Sequence, residues 1–363
     1  MNSESKALIA AAGSGKTTRL INDALVKPSR RVLVTTYTRE NLAEIQKRLL
    51  RSGMDFGNVS TSTWYEFLLR DCIKPFQAYM TSEIGKIRSV NFPVIRQRTP
   101  WLSRVPKRNF DKYYLDANND VYHDVASELG CLIDSKSGGK IVSRLSQCFD
   151  SIFIDELQDL SGYDLDLIEC FIAGGIHVQL VGDPRQAIYS TNTSPRNRQY
   201  RRNNIISWTE KLNKAGIIEI EELNTSYRNN QDICDYANQL FPNFPATVAA
   251  HDIADPHRGV HLVDPSHLVK YREVFAPQEL RWSKASKNVG PNTLNFGEVK
   301  GTEFDRVLIH ATKPMTDYIS KQTELKPEPL AKFYVAVTRA RHSVAIVPSS
   351  RIDNPNIPYW SSD

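Results

Sequence analysis

The chain has 363 residues, 40% hydrophobic and 24% charged, an ordinary globular composition with room for about two domains. Its formal charge of +5 permits a polyanionic partner without requiring one. No apolar run approaches membrane-spanning length, and the five cysteines (Cys72, Cys131, Cys148, Cys170, Cys234) show neither metal-ligand spacing nor a close pair. A helical membrane span, a cysteine metal centre and a disulfide framework are thereby set aside, and a reducing, cytoplasmic setting is expected.

Residues 7–12 (ALIAAA) are too short for a signal core and run straight into Gly13-Ser14-Gly15-Lys16, so they read as a first strand. Residues 31–36 (RVLVTT) predict a buried strand, followed by a helix with Leu42, Ile45 and Leu49 on one face. Over 76–148 the regularity lapses among Pro93, Pro100 and Pro106, which predicts an insertion. Three apolar residues then run into two acids at the end of the strand at 151–155, and a helix follows with Leu165, Ile168 and Ile172. Strands at 177–182 and 217–221, a helix at 229–240, an irregular proline-rich stretch at 240–291, and strands at 306–310 and 344–347 complete the pattern. Strands alternating with helices predict parallel sheets covered on both faces. The expected fold class is α/β, in two domains at 1–222 and 223–363.

Two features carry chemistry. Ala10-Ala11-Ala12-Gly13-Ser14-Gly15-Lys16-Thr17 lies between a strand and a helix, the setting of a phosphate-binding loop, although Ala10 stands where the strict pattern has glycine. Its glycines let backbone N–H groups approach phosphate oxygens at a helix N-terminus. Ala12, Gly13, Ser14, Gly15, Lys16, Thr17 and Thr18 are the nucleotide-binding candidates, with Lys16 on the β and γ phosphates and the Thr17 hydroxyl on Mg²⁺. The second feature is the acidic end Asp155-Glu156. Buried carboxylates need a counter-charge, and in a P-loop fold the magnesium nucleotide supplies it. Asp155 would hold Mg²⁺ and Glu156 would polarise the attacking water. The bland alternatives are a Gly-Ser turn with a surface lysine, and an acidic helix N-cap.

Asp155-Glu156-Leu157-Gln158-Asp159, Gly182-Asp183-Pro184-Arg185-Gln186-Ala187-Ile188-Tyr189, Tyr227-Arg228 and Val335-Ala336-Val337-Thr338-Arg339-Ala340 resemble, in order, the motifs of UvrD/Rep-type superfamily 1 helicases. The resemblance implies two RecA-like P-loop domains, ATP and Mg²⁺ in a cleft between them, and 3′→5′ movement on single-stranded DNA. It implies that Gln158 and Gln186 sense the γ-phosphate or its water, and that Arg228 and Arg339 stabilise the transferred phosphoryl. Glu303, in Lys-Gly-Thr-Glu-Phe, would approach the ribose or phosphates, and Arg19 the base. Thr36, Tyr37 and Thr38 resemble a DNA-contacting segment in which an aromatic stacks on a base. Trp64 lies in the next such segment, where Thr63 replaces the usual histidine.

Two basic stretches, 86–110 with Phe92 and Trp101, and 196–202 with Arg198 and Arg201 about Tyr200, suit a single-strand track; a solvated face is the alternative. The sequence departs from the family's pattern at several places. The upstream adenine-reading glutamine is missing, Ser190-Thr191-Asn192 replaces a tryptophan and arginine, and Asn295, Gly297 and Glu298 replace Thr-x-His-Ser. Only about seventy residues separate Tyr227 from Lys300, too few for the large subdomain of processive relatives. The expectation is a DNA-dependent ATPase/helicase acting on single-stranded DNA or single-strand/duplex junctions. The alternative is a nucleotide-gated DNA-end sensor, a regulatory subunit beside a partner nuclease in an antiviral defence complex, similar to the helicase-like subunit of Gabija. No membrane partner is expected.

Overall fold

The computed structural model describes residues 5–53, 56–80, 85–251, 255–286 and 289–361. By contact the chain forms two compact units. The first comprises Met1–Ile9, Lys16–Pro184 and Tyr189–Glu222, and the second Ala10–Gly15, Arg185–Ile188 and Leu223–Asp363.

The first unit is built on a sheet whose strands lie in the order Val59–Thr63, Val32–Thr36, Ser151–Asp155, His177–Gly182, Lys6–Ala10, Glu219–Leu223. The central pairings are parallel. Every residue of Val32–Thr36 and of Ser151–Asp155 is buried, as strands covered on both faces must be. Side chains alternate between the two covers. Leu8, Val32, Val34 and Phe153 pack with Leu20, Ile21, Ile45 and Leu49, whereas Ala7, Ile9, Leu33, Ile152 and Ile154 join the larger core on the other face. Parallel register brings Thr36 beside Thr63, Ile9 beside Gly182 and Asp155 beside Val181, so the chemistry-bearing residues share one sheet edge. In open α/β sheets that carboxyl-terminal edge is where ligands bind.

The lapse in regularity after residue 75 is visible as short turns and one two-residue strand pair, Val90–Asn91 with Val121–Tyr122. Helices Ala126–Ser137 and Lys140–Cys148 then pack against Tyr163–Ala173.

The second unit carries its own parallel sheet, in the order Gly259–Leu262, Ala340–Val347, Phe304–His310, Gln278–Arg281, Leu294–Asn295. The stretch 240–291, expected to be irregular, holds two of these strands and the helix Leu268–Phe275. Its prolines sit at element boundaries rather than inside elements: Pro265 opens the turn leading into that helix, and Pro277 immediately precedes a strand. Among the described residues no helix is long and apolar enough to cross a membrane.

Candidate nucleotide and nucleic-acid sites

Lys16 begins the helix Lys16–Leu25, and its Nζ donates to Glu156 Oε1 at 2.9 Å. The counter-charge that sequence reasoning assigned to a bound magnesium nucleotide is thus supplied to Glu156 by the loop lysine itself. Glu156 is only 5% exposed and adopts a left-handed backbone, φ +63°, which costs a non-glycine residue energy and clusters at functional positions. Its N–H donates to Asp155 Oδ1 at 3.0 Å, Gln158 Nε2 donates to its Oε2, and Asn41 Nδ2 reaches Oε1 at 3.4 Å. Gln158 in turn accepts from the Asp183 N–H at 3.1 Å. Gly182 makes this possible, because a Cβ there would stand 2.3 Å from Gln158 Oε1 and 2.9 Å from the Leu157 backbone nitrogen.

Thr17 is half-buried and Asp155 is buried at the same edge. A hydroxyl and a carboxylate are hard oxygen donors of the kind Mg²⁺ takes when phosphates and water complete its shell. Thr18 instead faces outward and accepts from Arg48 Nη1 at 2.9 Å. Arg19 pairs with Asp23 at 3.0 Å and with Glu221 at 3.0 Å; these acids, Asp23 first, raise its pKa further, so the guanidinium is engaged with carboxylates rather than open to a base.

The loop Ala10–Gly15 is described with the second unit. Ala11 N–H donates to Leu223 O at 2.8 Å and Tyr227 N–H to Gly13 O at 2.9 Å. Gly13 and Gly15 both have φ +75°. A Cβ on Gly13 would meet Ser226 Oγ at 2.5 Å and Arg228 Cβ at 2.7 Å, so this glycine is required by close approach of the arginine segment. A Cβ on Gly15 would meet nothing within 4 Å, leaving space beside its backbone. Ser14 Oγ is buried without a hydrogen-bond partner. Open space beside a buried, unused hydroxyl fits a cradle for phosphate oxygens.

Arg228 Nε donates to Glu303 Oε2 at 2.9 Å and Nη1 to Thr338 O at 3.2 Å. Burial pushes the Glu303 carboxyl up, but hydrogen bonds from Arg341 and Arg228 outweigh it and hold the group below its ordinary value. Arg339, 2% exposed, donates to Val335 O, Thr302 O and Gln186 Oε1 at 3.1, 3.1 and 3.2 Å. Gln186 is fixed by its neighbour: the buried Arg185 guanidinium lies 5.3 Å from the Tyr334 ring centre and 5.5 Å from that of Phe244. Sequence reasoning passed over Arg185, although a buried arginine needs such a box. It also passed over Tyr227 as a contact residue, whose ring is 68% exposed beside the loop. Asn295 bonds through its N–H and Nδ2 to Glu298, closing a turn where the family pattern has Thr-x-His-Ser.

At the edge of the first sheet, Tyr37 is half-buried in a groove of about 380 Å³ that Tyr65 and Phe92 also line. Ring centres lie 6.0 Å apart for Tyr37–Tyr65, 6.2 Å for Tyr37–Tyr189 and 5.1 Å for Tyr65–Phe92. Thr36 Oγ1 is buried and unpaired, while Thr38 caps the helix Arg39–Arg51 by accepting from the Asn41 N–H. Trp64 requires a correction. It is 1% exposed and its Nε1 donates to Asp164 at 2.8 Å, so it is a core residue offering no face to a base. The reason is local: Thr63 and Glu66 form a capping box that turns the following helix so that Trp64 points inward.

Thr191 and Asn192 also turn inward, because Thr191 Oγ1 and Asn192 Nδ2 donate to the fully buried Asp164 and Tyr65 Oη donates to Thr191 O, whereas Ser190 stays exposed. Burial raises the Asp164 pKa against these hydrogen bonds. Arg198 is exposed; Arg201 is half-buried with Nη2 on Ser194 O, and burial, then Arg198 and Arg202, lower its pKa.

The profile of the UvrD/REP helicase N-terminal domain matches residues 107–200, the segment carrying Glu156, Gln158 and Gln186. That segment is similar to the family's N-terminal domain. A protein of Mycoplasma capricolum subsp. capricolum (strain California kid) described as "Probable DNA helicase II homolog" is 22% identical to it over 288 residues, 65% of this chain and 38% of that protein. The chain therefore spans well under half the length of this curated relative. Among solved structures, the Arterivirus nonstructural protein 10 helicase has a TM-score of 0.47 at 16% identity, over 94% of this chain and 59% of its own. The same helicase in complex with DNA scores 0.48 at 15% identity, over 95% and 61%. The PRRSV helicase scores 0.47 at 14%, over 95% and 52%.

Proposed function

We propose that this chain is a DNA helicase-type ATPase whose hydrolysis is stimulated by single-stranded DNA, with 3′→5′ polarity. One observation supports the hydrolytic part above the others: a buried glutamate in a strained backbone, held between the loop lysine and a glutamine. When a triphosphate arrives, its oxygens compete for the Lys16 ammonium, and Glu156 is released to accept the proton of the attacking water. Thr17 and Asp155 hold Mg²⁺, which neutralises phosphate charge when bound. Gln158 orients the water, and Gln186 with Arg339 and Arg228 stabilises the charge that builds on the transferred phosphoryl. Glu303 takes the ribose side, and Tyr37 with its neighbouring rings stacks on bases.

The test is ATP turnover with and without single-stranded DNA, in the native chain and in Glu156→Gln. An amide cannot take the proton, so the variant should bind nucleotide yet turn over at least a hundredfold more slowly, on the order of a lost general base. Full turnover in Glu156→Gln would remove the assignment.

A second reading is favoured by the exposed but non-aromatic Ser190 and the inward-facing Thr191 and Asn192, which leave no stacking platform where the family pattern puts one. On that reading the chain senses DNA ends within a nuclease-containing antiviral complex and does not unwind. A forked duplex with a 3′ tail separates the two: ATP-driven strand release supports the motor, and ATP-dependent binding without release supports the sensor.

A further inference from the structure

Residues 85–125 have little regular secondary structure, yet they are firmly braced. The Arg96 guanidinium is buried 3.7 Å over the Tyr113 ring, and its Nη2 donates to Val105 O at 2.7 Å. Buried Asp124 accepts the N–H groups of Arg96 and Gln97 at 3.2 and 3.1 Å. Leu102 fills the core beneath. What this bracing presents outward is Trp101, 67% exposed, while the other four tryptophans are buried or half-buried. A large ring left in water on a braced turn forgoes the stabilisation of burial and marks a contact surface. Arg98, Arg104 and Arg108 stand exposed to either side of it in the chain.

The second basic stretch reaches the same part of the unit. Lys107 Nζ lies 5.5 Å from the Tyr163 ring centre, and the Arg196 guanidinium lies 6.0 Å from the same ring. Stretches about ninety residues apart in the chain therefore converge on one tyrosine. Lys107 is committed to Glu128 and Arg196 to Asp166, so these two shape the surface, and phosphate contacts fall to Arg98, Arg104, Arg108 and Arg198.

We propose that Trp101 and the arginines around it form a second nucleic-acid contact, in which the indole stacks on the last base pair of a duplex and the arginines hold its phosphates. This rests on the nucleic-acid reading above and assigns to the duplex a surface distinct from the Tyr37 groove. That groove brings several rings together around its space, suited to a single unpaired base, whereas Trp101 is 67% exposed, with the exposed Arg98 and Arg104 three residues to either side of it in the chain. A largely exposed indole suits the end of a stack, and arginines grip a phosphate backbone of any sequence.

The experiment measures binding of the full chain to a forked duplex with a 3′ tail and to a single strand of the same tail length. Trp101→Ala should weaken the fork by about tenfold, the scale of one lost stack, and leave the single strand unchanged. Trp101→Phe should restore most of the loss. Arg98→Ala combined with Arg104→Ala should reduce the salt dependence of fork binding by about two in log–log slope. Trp101 is exposed, so equal thermal melting confirms that the variants are folded. Unchanged fork affinity in Trp101→Ala, or equal loss on both DNAs, overturns the duplex contact while Tyr37→Ala still reports on the groove. If the native chain binds neither DNA, the nucleic-acid reading itself falls and this contact with it.

Discussion

The acidic edge of the first sheet and the arginine cluster of the second unit are both charged and largely buried, but they are stabilised in opposite ways. At the edge, charges satisfy each other: Lys16 pairs with Glu156, and the glutamate accepts a strained backbone to be there. In the cluster, Arg339 is satisfied by the neutral oxygens of Val335, Thr302 and Gln186, and Arg228 divides its donors between Thr338 O and Glu303. An ion pair can be opened by a competing anion. A guanidinium held by carbonyls keeps its full charge and its direction whatever binds. The Lys16–Glu156 pair is therefore switchable and Arg339 is preset, while Arg228, ion-paired with Glu303, stands between the two.

The largest effect expected from this contrast is at Arg339. Arg339→Ala should lower kcat by about 10²–10³, the scale of one lost group that stabilises developing charge, with nucleotide affinity nearly unchanged. Turnover and binding of a non-hydrolysable ATP analogue, read side by side, check this. A parallel loss of affinity would mean that the cluster serves binding rather than the transition state. Next in size is Gly182→Ala. The added methyl would press on Gln158 and Leu157 and shift the turn that carries Glu156, so thermal denaturation should show a loss of about 1–3 kcal/mol. A variant as stable as the native chain would show that the turn around Glu156 yields easily, and the preset-versus-switchable contrast would weaken.

How much of this was legible in the sequence depended on how local each requirement is. The loop at Gly13–Thr17 needs only two glycines, a lysine and a threonine between a strand and a helix, and all lie within a few residues. The acidic strand end could be read for the same reason. That Lys16 is the partner of Glu156 was not legible, because the two are 140 residues apart and only parallel register brings them to one edge. Trp64 was misjudged because a capping box, not the aromatic pattern, sets which way that turn faces. The stretch 240–291 was misjudged because its prolines were counted as interruptions although they mark the boundaries of regular elements. Arg185 was hidden because nothing near it in the chain announces Phe244 and Tyr334 as its box.

The smallest effect bears most directly on the contrast. If the Lys16–Glu156 pair is a latch that a nucleotide must open, then removing the negative partner should tighten binding even as it stops hydrolysis. Glu156→Gln leaves the side chain's shape and its neighbour Gln158 in place, but the amide no longer holds the ammonium with a full charge. Desolvation offsets most of a buried pair's attraction, so the variant should bind a non-hydrolysable ATP analogue more tightly than the native chain, about fivefold for each ~1 kcal/mol of net attraction lost. The gain should shrink as salt is raised, since screening weakens the pair in the native chain first. Unchanged or weaker binding at low salt would mean that Lys16 is no freer to meet phosphate without Glu156. The pair would then hold the strand edge together, and Lys16 would be as preset as Arg339.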